Sequence, residues 1–452
     1  MKKSVLLLCF FTVLTALSGC SDISESFAIS DNSEIQADTD SQETEQTFGD
    51  VPPAPETAVA AETSDDTENE YVSDNPEWLV PELSSQKVTL DLSGGVSLNK
   101  IKNEIGYDIC FDVTALDYYD SCAQYVEDKF DEFSGEKLEA IRERNYIAEV
   151  SPFFIPMCTE EADWLAVQNY QMYGVKGSFL SRLMMIKDGE IARTFDLIPE
   201  QIYGNSVNNA VYSRGELYIN CGSGLKKVNM QTGETQMVIA YDGLINYGLI
   251  TAVSDDYIIC GNGTQTVLVL DTEEVFYSDV RWYPLGSEPL RLIGDRIEYK
   301  EDGIPKVYDI KSRTLTEDSS LAFADGYAQR NSDKWSVCFA NDGDLKEPQC
   351  LPAVRVINIA DGSERVYDLR ALNAELTGDI VYNLGTLMLD GDMLWIDIRD
   401  YFTGVLNLVT GEAAEAERRY SDMSYISDGT MKITDEADGD YIYYIANVNY
   451  PA

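Results

Sequence analysis

Histidine is absent from the whole chain. Its absence excludes the Ser-His-Asp and Cys-His mechanisms and every metal site that needs an imidazole ligand. No Cys-x-x-Cys pair occurs either, so the sequence offers neither a zinc ribbon nor a thioredoxin-like redox site. Catalysis in this protein would therefore have to use carboxylates, tyrosine, lysine or a bound cofactor.

Basic residues are scarce, and residues 21–76 contain none. This segment consists largely of Asp, Glu, Ser, Thr, Gln, Ala and Pro, which cannot bury enough apolar surface to offset the entropy of the chain. We therefore interpret residues 20–76 as an acidic, disordered tether. A flexible coil of this length spans about 40 Å.

The chain has 79 acidic and 33 basic residues, which gives a formal net charge of −46. The tether accounts for only part of this excess, because residues 78–452 alone carry about −31. Such a charge repels nucleic acid and anionic membrane surfaces, so nucleic-acid binding is excluded. The excess acid either keeps the protein soluble at an extracellular surface or gives it affinity for cations and basic partners such as peptides.

A short apolar leader opens the chain. Lys2 and Lys3 precede the apolar run Val5–Leu17, which polar sequence follows too soon for a membrane-spanning helix, so residues 1–19 are typical of a cleaved export signal. The run ends in Leu17-Ser18-Gly19-Cys20, which resembles the lipobox of bacterial lipoproteins. The resemblance implies that Cys20 is diacylated and anchors the protein to the cell membrane on its extracytoplasmic side. An ordinary secretory signal with an incidental cysteine is the alternative.

Apart from Cys9 in the leader and Cys20, seven of the nine cysteines remain, and an odd number prevents complete pairing within the chain. Two pairs share a twelve-residue separation and could each close a loop: Cys110 with Cys122, and Cys338 with Cys350. Cys221 and Cys260 lie in apolar, strand-like runs, where we expect buried thiols.

Beyond Tyr146 the sequence is rich in β-formers and repetitive. The segment Gly215–Glu234 has the pattern of a β-hairpin, and versions of it recur at intervals of roughly 40 residues, the spacing of propeller blades. Each copy contains an apolar strand that ends in Asn or Asp before a turn, at Asp196, Asn229, Asp271, Asp309, Asn358 and Asn407. A partner strand lies upstream in most copies: Glu216–Asn220, Asp256–Cys260, Arg296–Lys300, Lys334–Phe339 and Met393–Ile398.

This pattern predicts an all-β fold for residues 146–452, a β-propeller of about seven four-stranded blades, with six or eight as alternatives. The last unit has room for only three strands, at Met423–Ile426, Met431–Thr434 and Tyr441–Val448. An open blade would expose unpaired backbone, so we expect a strand from the N-terminal side, Val88–Leu92 or Asp108–Val113, to close the ring.

Residues 77–145 precede the propeller as a mixed strand and helix segment. Helices are predicted over Asp117–Phe133 and Ser134–Arg144. In the second, Ser134 is the expected N-cap, and Leu138 and Ile141 are the expected buried residues.

The endings Thr232-Gly233-Glu234 and Thr410-Gly411-Glu412, each after a strand with Asn, resemble blade ends of PQQ-like and WD40-like β-propellers. The Trp-Asp and Gly-His signatures of WD40 repeats are missing, as is the regular tryptophan docking motif of PQQ enzymes. The metal and quinone site of that family is not matched residue by residue. The resemblance therefore implies the fold without the cofactor.

A tyrosine precedes the partner strand in several repeats, at Tyr203, Tyr247, Tyr283, Tyr327 and Tyr382. If these residues lie at one rim, they surround the channel mouth with flat amphipathic surfaces that suit sugars or peptides. Alternatively, each tyrosine packs between adjacent blades and bonds its hydroxyl to a neighbouring backbone. These five residues are the candidate ligand-binding residues.

Closely spaced carboxylates occur in Asn341–Asp344, Asp390–Asp392 and Asp435–Asp440 and could hold calcium. None matches the EF-hand or RTX spacing, and Asp-Gly is common in hairpin turns, so we expect plain turns and no cofactor or metal. No catalytic residue is assigned, because sequence spacing does not fix the distance between two carboxylates that glycoside hydrolysis needs.

The leading hypothesis is a membrane-anchored module that recognises a protein, peptide or glycan through one propeller face. The alternatives are a carbohydrate-active enzyme with an Asp/Glu pair in the channel and a structural subunit for envelope assembly. Function is expected where the repeats differ from one another, including the helical segment before Tyr146.

Overall fold

The computed structural model describes residues 77–451, apart from residues 108–111, 203–209, 222–223, 241–248, 262, 283–289, 325, 342–349, 379 and 382–384. Two strands and three helices precede the repeats: β1 (Glu82–Leu83), β2 (Thr89–Ser97), α1 (Leu98–Ile105), α2 (Tyr119–Asp128) and α3 (Glu136–Glu143). Short 3-10 turns lie at Val113–Ala115 and Leu369–Ala371.

The remaining strands form six successive antiparallel blades of four strands and a last blade of three, which β2 completes. Blade 1 comprises β3 (Ile147–Pro156), β4 (Trp164–Met172), β5 (Ser178–Lys187) and β6 (Glu190–Ile202). Blade 2 comprises β7 (Ala210–Ser213), β8 (Glu216–Cys221), β9 (Gly224–Asn229) and β10 (Thr235–Ala240). Blade 3 comprises β11 (Leu249–Val253), β12 (Tyr257–Gly261), β13 (Gly263–Val269) and β14 (Glu274–Trp282).

The later blades repeat this arrangement. Blade 4 comprises β15 (Arg291–Ile293), β16 (Arg296–Glu301), β17 (Ile304–Asp309) and β18 (Thr314–Glu317). Blade 5 comprises β19 (Gly326–Asn331), β20 (Trp335–Asn341), β21 (Cys350–Asn358) and β22 (Glu364–Asp368). Blade 6 comprises β23 (Gly385–Asp390), β24 (Met393–Ile398), β25 (Phe402–Asn407) and β26 (Glu412–Glu415), and blade 7 begins with β27 (Asp422–Ser427), β28 (Thr430–Ala437) and β29 (Asp440–Asn449).

The blades form a ring in sequence order, so the predicted seven-bladed β-propeller is confirmed. The first strands of neighbouring blades contact one another, for example β3 with β7, β19 with β23, and β23 with β27. The first strand of each blade therefore lines the central axis, and the fourth strand lies at the outer edge. Buried apolar side chains fill the spaces between successive blades.

The N-terminal strand β2 closes the ring. It pairs antiparallel with β29, from Thr89 opposite Asn449 to Ser97 opposite Ile442, and supplies the fourth strand of blade 7. This confirms the three predicted strands of the last unit and identifies Val88–Leu92 as the donor region. In the alternative donor Asp108–Val113, residues 108–111 lie outside the described residues, and Val113 begins a 3-10 turn.

The segment before β2 crosses the outer edges of blades 5 and 6. We call residues 77–97 the N-terminal strap. Leu79 forms a parallel bridge with Tyr367 of β22, and β1 pairs parallel with β26. Val88 then bridges Ala416 before the chain enters blade 7. The strap therefore joins three consecutive blades from the outside.

The recurring Asn or Asp residue shapes the hairpin between the third and fourth strands. The Asn229 side-chain oxygen accepts hydrogen bonds from the backbone N–H groups of Gln231 at 2.8 Å and Thr232 at 2.9 Å. These side-chain hydrogen bonds mimic a backbone turn, so the shape of the hairpin explains why Asn or Asp recurs at this position and no catalytic role is needed. The same role is played in other blades by Asp309, Asn358 and Asn407.

One predicted member of this repeat is wrong. Asp196 does not end a third strand; it lies inside the outer strand β6, opposite Arg182 of β5. The Arg182 Nε donates to an Asp196 carboxylate oxygen at 3.1 Å. The hairpin of blade 1 lies instead at Asp188-Gly189, because β6 is unusually long and the apolar pattern continues through it.

Carboxylates in the Asp-Gly-Asp turn of blade 6 hold neighbouring blades together. Asp390 is buried and accepts hydrogen bonds from the Gly429 N–H at 3.0 Å and from the Tyr450 hydroxyl. Asp392 accepts one from Trp335 Nε1 at 3.0 Å. Their oxygens thus have protein donors. Asp435–Asp440 spans the hairpin between β28 and β29, and residues 342–344 lie outside the described residues.

Strand register separates one of the two suggested cysteine pairs. Cys338 lies opposite Arg355, whereas Cys350 lies opposite Asn341. Three residues along a strand span about 10 Å, beyond the reach of a disulfide. Cys122 is a buried free thiol, and Cys110 lies outside the described residues. Cys221 and Cys260 are buried thiols, as predicted.

Helices α2 and α3 lie within the predicted ranges, and Leu138 and Ile141 are buried as expected. The predicted N-cap of α3 is wrong, because Gly135, with a φ of 65°, occupies that position without a side-chain cap. Helix α1 was not predicted. Within the described part of the chain, no helix is long and apolar enough to span a membrane.

Candidate functional site

The connection between blade 7 and blade 1 departs from the repeat pattern. Residues 98–146 contain α1, α2 and α3, and we call this segment the helical cap. Successive strands of a blade run in opposite directions, so connections between blades share a face of the ring with the turns between second and third strands. The helical cap therefore lies on this face, beside the β4–β5 turn of blade 1.

Helix α1 is fixed at its N-terminus. Ser97 is the N-cap, and its hydroxyl oxygen accepts the Lys100 N–H at 2.9 Å. Asp440, from the last hairpin of blade 7, accepts the Asn99 N–H at 2.9 Å. Ile101 and Ile105 are buried in the core between blades 7 and 1. The helix is thus anchored at the junction where the ring closes.

Helices α2 and α3 form a small core of their own. Val126, Phe133, Leu138 and Ile141 are buried together, and Tyr173 of blade 1 packs against them. The Phe133 and Tyr173 rings are 5.1 Å apart in an edge-on arrangement. This core ties the helical hairpin to the β4–β5 turn.

Helix α2 also contacts blade 1 directly. Gly174 has a φ of 76°, and a side chain there would lie 2.5 Å from the Tyr125 ring. The ring of Tyr118 lies 6.0 Å from that of Phe179 in β5. Cys122 is buried between them, and burial raises the pKa of its thiol to about 11. These contacts hold the helical cap in one orientation.

Exposed aromatic side chains are concentrated on the helical cap. Of the six exposed aromatic side chains in the described residues, four lie on the cap and two, Tyr277 and Tyr441, lie elsewhere. The four, which we call the aromatic surface, are Tyr107 (40% exposed), Tyr118 (39%), Tyr125 (37%) and Phe130 (54%). Exposed aromatic groups concentrated in this way mark interaction sites on soluble proteins.

The helical cap is also acidic. Its exposed carboxylates are Glu104, Asp112, Asp117, Asp120, Glu127, Asp128, Asp131, Glu132, Glu136, Glu139 and Glu143. Two of the rings already hold cations of this chain, since the Arg144 guanidinium lies 4.4 Å from the Tyr107 ring centre and Lys129 Nζ lies 5.8 Å from that of Tyr125. The surface therefore suits positively charged groups.

Sequence reasoning placed the candidate ligand-binding tyrosines elsewhere. Tyr203, Tyr247, Tyr283 and Tyr382 lie outside the described residues. Tyr327 lies in β19, half-buried, with its ring stacked on Phe339 at 6.4 Å and packed into the core of blades 5 and 6. The clustering of aromatic residues between Tyr107 and Phe133 was the available signal for the cap, and it was outweighed by the repetition of the tyrosines.

Two carboxylates bear on the enzyme hypothesis. Burial and the nearby charge of Asp397 raise the pKa of Asp422, in the first strand of blade 7, to about 6, which Lys432 partly opposes. Burial also raises the pKa of Asp397, whose carboxylate accepts the Thr403 hydroxyl at 2.6 Å. A shallow groove between blades 1 and 2 is lined mainly by apolar side chains and contains no carboxylate. Asp397 and Asp422 therefore do not line this groove.

The leader and Cys20 lie outside the described residues, so lipidation of Cys20 stays a prediction. The expectation of plain turns without a cofactor or metal, with calcium as the weaker alternative, likewise stays a prediction. Among the described residues, no group of three or more Cys, Asp or Glu side chains is placed to hold a metal ion.

No protein-family model matches this chain, and no curated protein matches its sequence. Several solved structures are similar. BamB from Moraxella catarrhalis is 12% identical over 67% of this chain and 99% of that chain, with a TM-score of 0.36. An oligogalacturonate lyase in complex with manganese is 11% identical over 67% and 97%, with a TM-score of 0.37, and the AfRom2 CNH domain is 9% identical over 68% and 97%, with a TM-score of 0.35. Likenesses this distant do not bear on function, and the β-propeller fold rests on the strand order of the chain itself.

Proposed function

We propose that the protein is a membrane-anchored, extracytoplasmic interaction module whose helical cap binds a positively charged segment of a partner protein. The observation that carries this proposal is the aromatic surface, four exposed rings, two of which, Tyr118 and Tyr125, contact blade 1, on a segment rich in exposed carboxylates. Four of the six exposed aromatic side chains in the described residues lie on this one acidic segment.

The physical chemistry of the cap favours a basic partner over a neutral glycan. An aromatic face attracts an arginine or lysine side chain by about 0.5–1 kcal/mol at an exposed site. The surrounding carboxylates add attraction at short range, and the negative charge of the whole chain speeds the encounter. A neutral sugar gains from the rings but not from the charge.

The lipid anchor and the tether belong to the same proposal. Diacylation at Cys20 would hold the protein at the membrane, and the acidic tether would keep the helical cap free to meet its partner within about 40 Å of the surface. This arrangement fits a partner that is itself attached to, or passing through, the cell envelope.

A peptide titration tests the proposal. The mature full-length chain is titrated with a peptide of alternating arginine and glycine, and affinity is measured by calorimetry. The triple variant Asp117→Asn, Phe130→Ala, Asp131→Asn is expected to bind at least about tenfold more weakly, equivalent to about 1.4 kcal/mol, because it removes one ring and two carboxylates from the cap.

A matched variant on blade 3, with Tyr277→Ala, Asp255→Asn and Asp279→Asn, removes the same groups from an exposed region outside the cap. We expect it to bind like the unmodified chain, and a peptide with glutamate in place of arginine should not bind. Equal weakening in both triple variants would show general attraction to a polyanion and would contradict recognition by the cap.

A further inference from the structure

A second feature lies on the inner wall of the ring, away from the helical cap. Arg330 belongs to β19, the first strand of blade 5, where it lies opposite Val337 of β20. A bulge between Tyr327 and Arg330, with Ala328 at a φ of 55°, interrupts the ladder just before it. β19 is a first strand and lies on the inner wall of the ring, and a bulge changes the direction in which the side chains beside it point.

Few protein groups hydrogen-bond to the Arg330 guanidinium or balance its charge. Its Nη1 donates to the carbonyl oxygen of its neighbour Gln329 at 2.8 Å, and within the described residues it forms no ion pair. The side chain is half-buried, and burial lowers the pKa of the guanidinium because nearby charges offset little of the lost hydration.

Arg291 is the other arginine on a first strand in the described residues, and it has several protein partners. Arg291 of β15 lies 2.9 Å from a Glu298 oxygen, donates to the Ala322 carbonyl at 3.2 Å and stacks at 3.9 Å on the Phe323 ring. In a chain with 79 acidic residues a carboxylate partner is easy to provide. Because Arg330 has no carboxylate partner among the described residues, several of its N–H groups can donate hydrogen bonds to a ligand.

We propose that Arg330 is the cation of a small-anion site on the inner wall of the ring, which takes a carboxylate or phosphate group. The planar guanidinium presents paired N–H donors that match two oxygens of either group. A single guanidinium on a first strand can pair with one such group, so we expect the ligand to be a small molecule. The site is separate from the helical cap and does not depend on the function proposed for it.

Thermal unfolding of the mature full-length chain tests this site. Chloride is replaced by inorganic phosphate or by acetate at constant ionic strength, and the Tm of the unmodified chain is compared with that of Arg330→Gln. We expect one of the two anions to raise the Tm of the unmodified chain in a saturable way and Arg330→Gln to lose that increase. The anion that acts identifies the preferred group.

The control variant is Arg214→Gln, which removes an arginine that pairs with Asp256 and Asp271. It should retain the anion-dependent increase. Equilibrium dialysis of labelled phosphate and labelled acetate against the unmodified chain gives an independent readout if Arg330→Gln folds poorly, with one bound anion per chain expected. No bound anion, or the same Tm increase in Arg330→Gln as in the unmodified chain, would overturn the proposal.

Discussion

Removal of the N-terminal strap should lower the midpoint of unfolding far more than removal of the tether. Strand β2 completes blade 7, and Val88 (1% exposed) and Val96 (0%) are buried there. Full burial of two valines contributes about 3–6 kcal/mol, and loss of β2 would also leave β29 as an unpaired edge. A chain that lacks residues 21–97 is therefore expected to unfold at a much lower temperature and with less cooperativity, as measured by calorimetry.

The matched control lacks residues 21–76 and keeps the strap. We expect it to unfold like the full chain, because the composition of residues 21–76 predicts no buried core. A synthetic peptide with the sequence of residues 86–97 should restore part of the lost stability when added to the shorter chain. Equal midpoints for the two truncated chains would show that closure by β2 contributes nothing.

Glu298→Ala should be the most damaging single substitution in blade 4. The side chains of Glu298 and Arg291 are 4% and 2% exposed, and their closest atoms are 2.9 Å apart. The substitution leaves the Arg291 guanidinium buried without its carboxylate, a change that typically lowers the free energy of unfolding by about 3–5 kcal/mol. The measurement is the urea midpoint of the full mature chain.

The double variant Arg291→Met, Glu298→Leu serves as the control for this substitution. It replaces both charges by apolar side chains of similar length, so no buried charge is left alone. We expect its midpoint to lie close to that of the unmodified chain. If the double variant were as unstable as Glu298→Ala, lost packing would explain the effect better than a stranded charge.

The propeller could be predicted from the sequence because its evidence is local and repeated. The hairpin around Asn229 needs an Asx turn, and the same need produces the same residue type in later blades. The period of the repeats then indicates about seven blades, and the shortage of one strand in the last unit predicts closure by the N-terminal side.

β1 and α1 could not be predicted in the same way. β1 has only Glu82 and Leu83, and its pairing with β26 arises from where the chain passes on its way to blade 7. α1 has two buried residues, Ile101 and Ile105, one turn apart, too few for a clear amphipathic pattern. Both elements owe their structure to contacts with distant parts of the chain.

The candidate site was even harder to predict from the sequence than β1 and α1. Sequence shows that aromatic residues occur near Tyr125 and Phe130, but exposure depends on which of them blade 1 covers. Tyr327 was a candidate because it belonged to a repeated pattern, and it packs on Phe339. The isolation of Arg330 is likewise a property of its neighbours in space, which no spacing along the chain reveals.

The most direct test of the central claim is site-specific photo-crosslinking in the native cell envelope. A photoreactive amino acid replaces Phe130 on the helical cap in one strain and Tyr277 on blade 3 in another. We predict a crosslinked partner with a basic segment at Phe130, competed by the arginine-glycine peptide, and no such product at Tyr277. Crosslinks to the same partner at Tyr277, or none at Phe130, would contradict recognition through the helical cap.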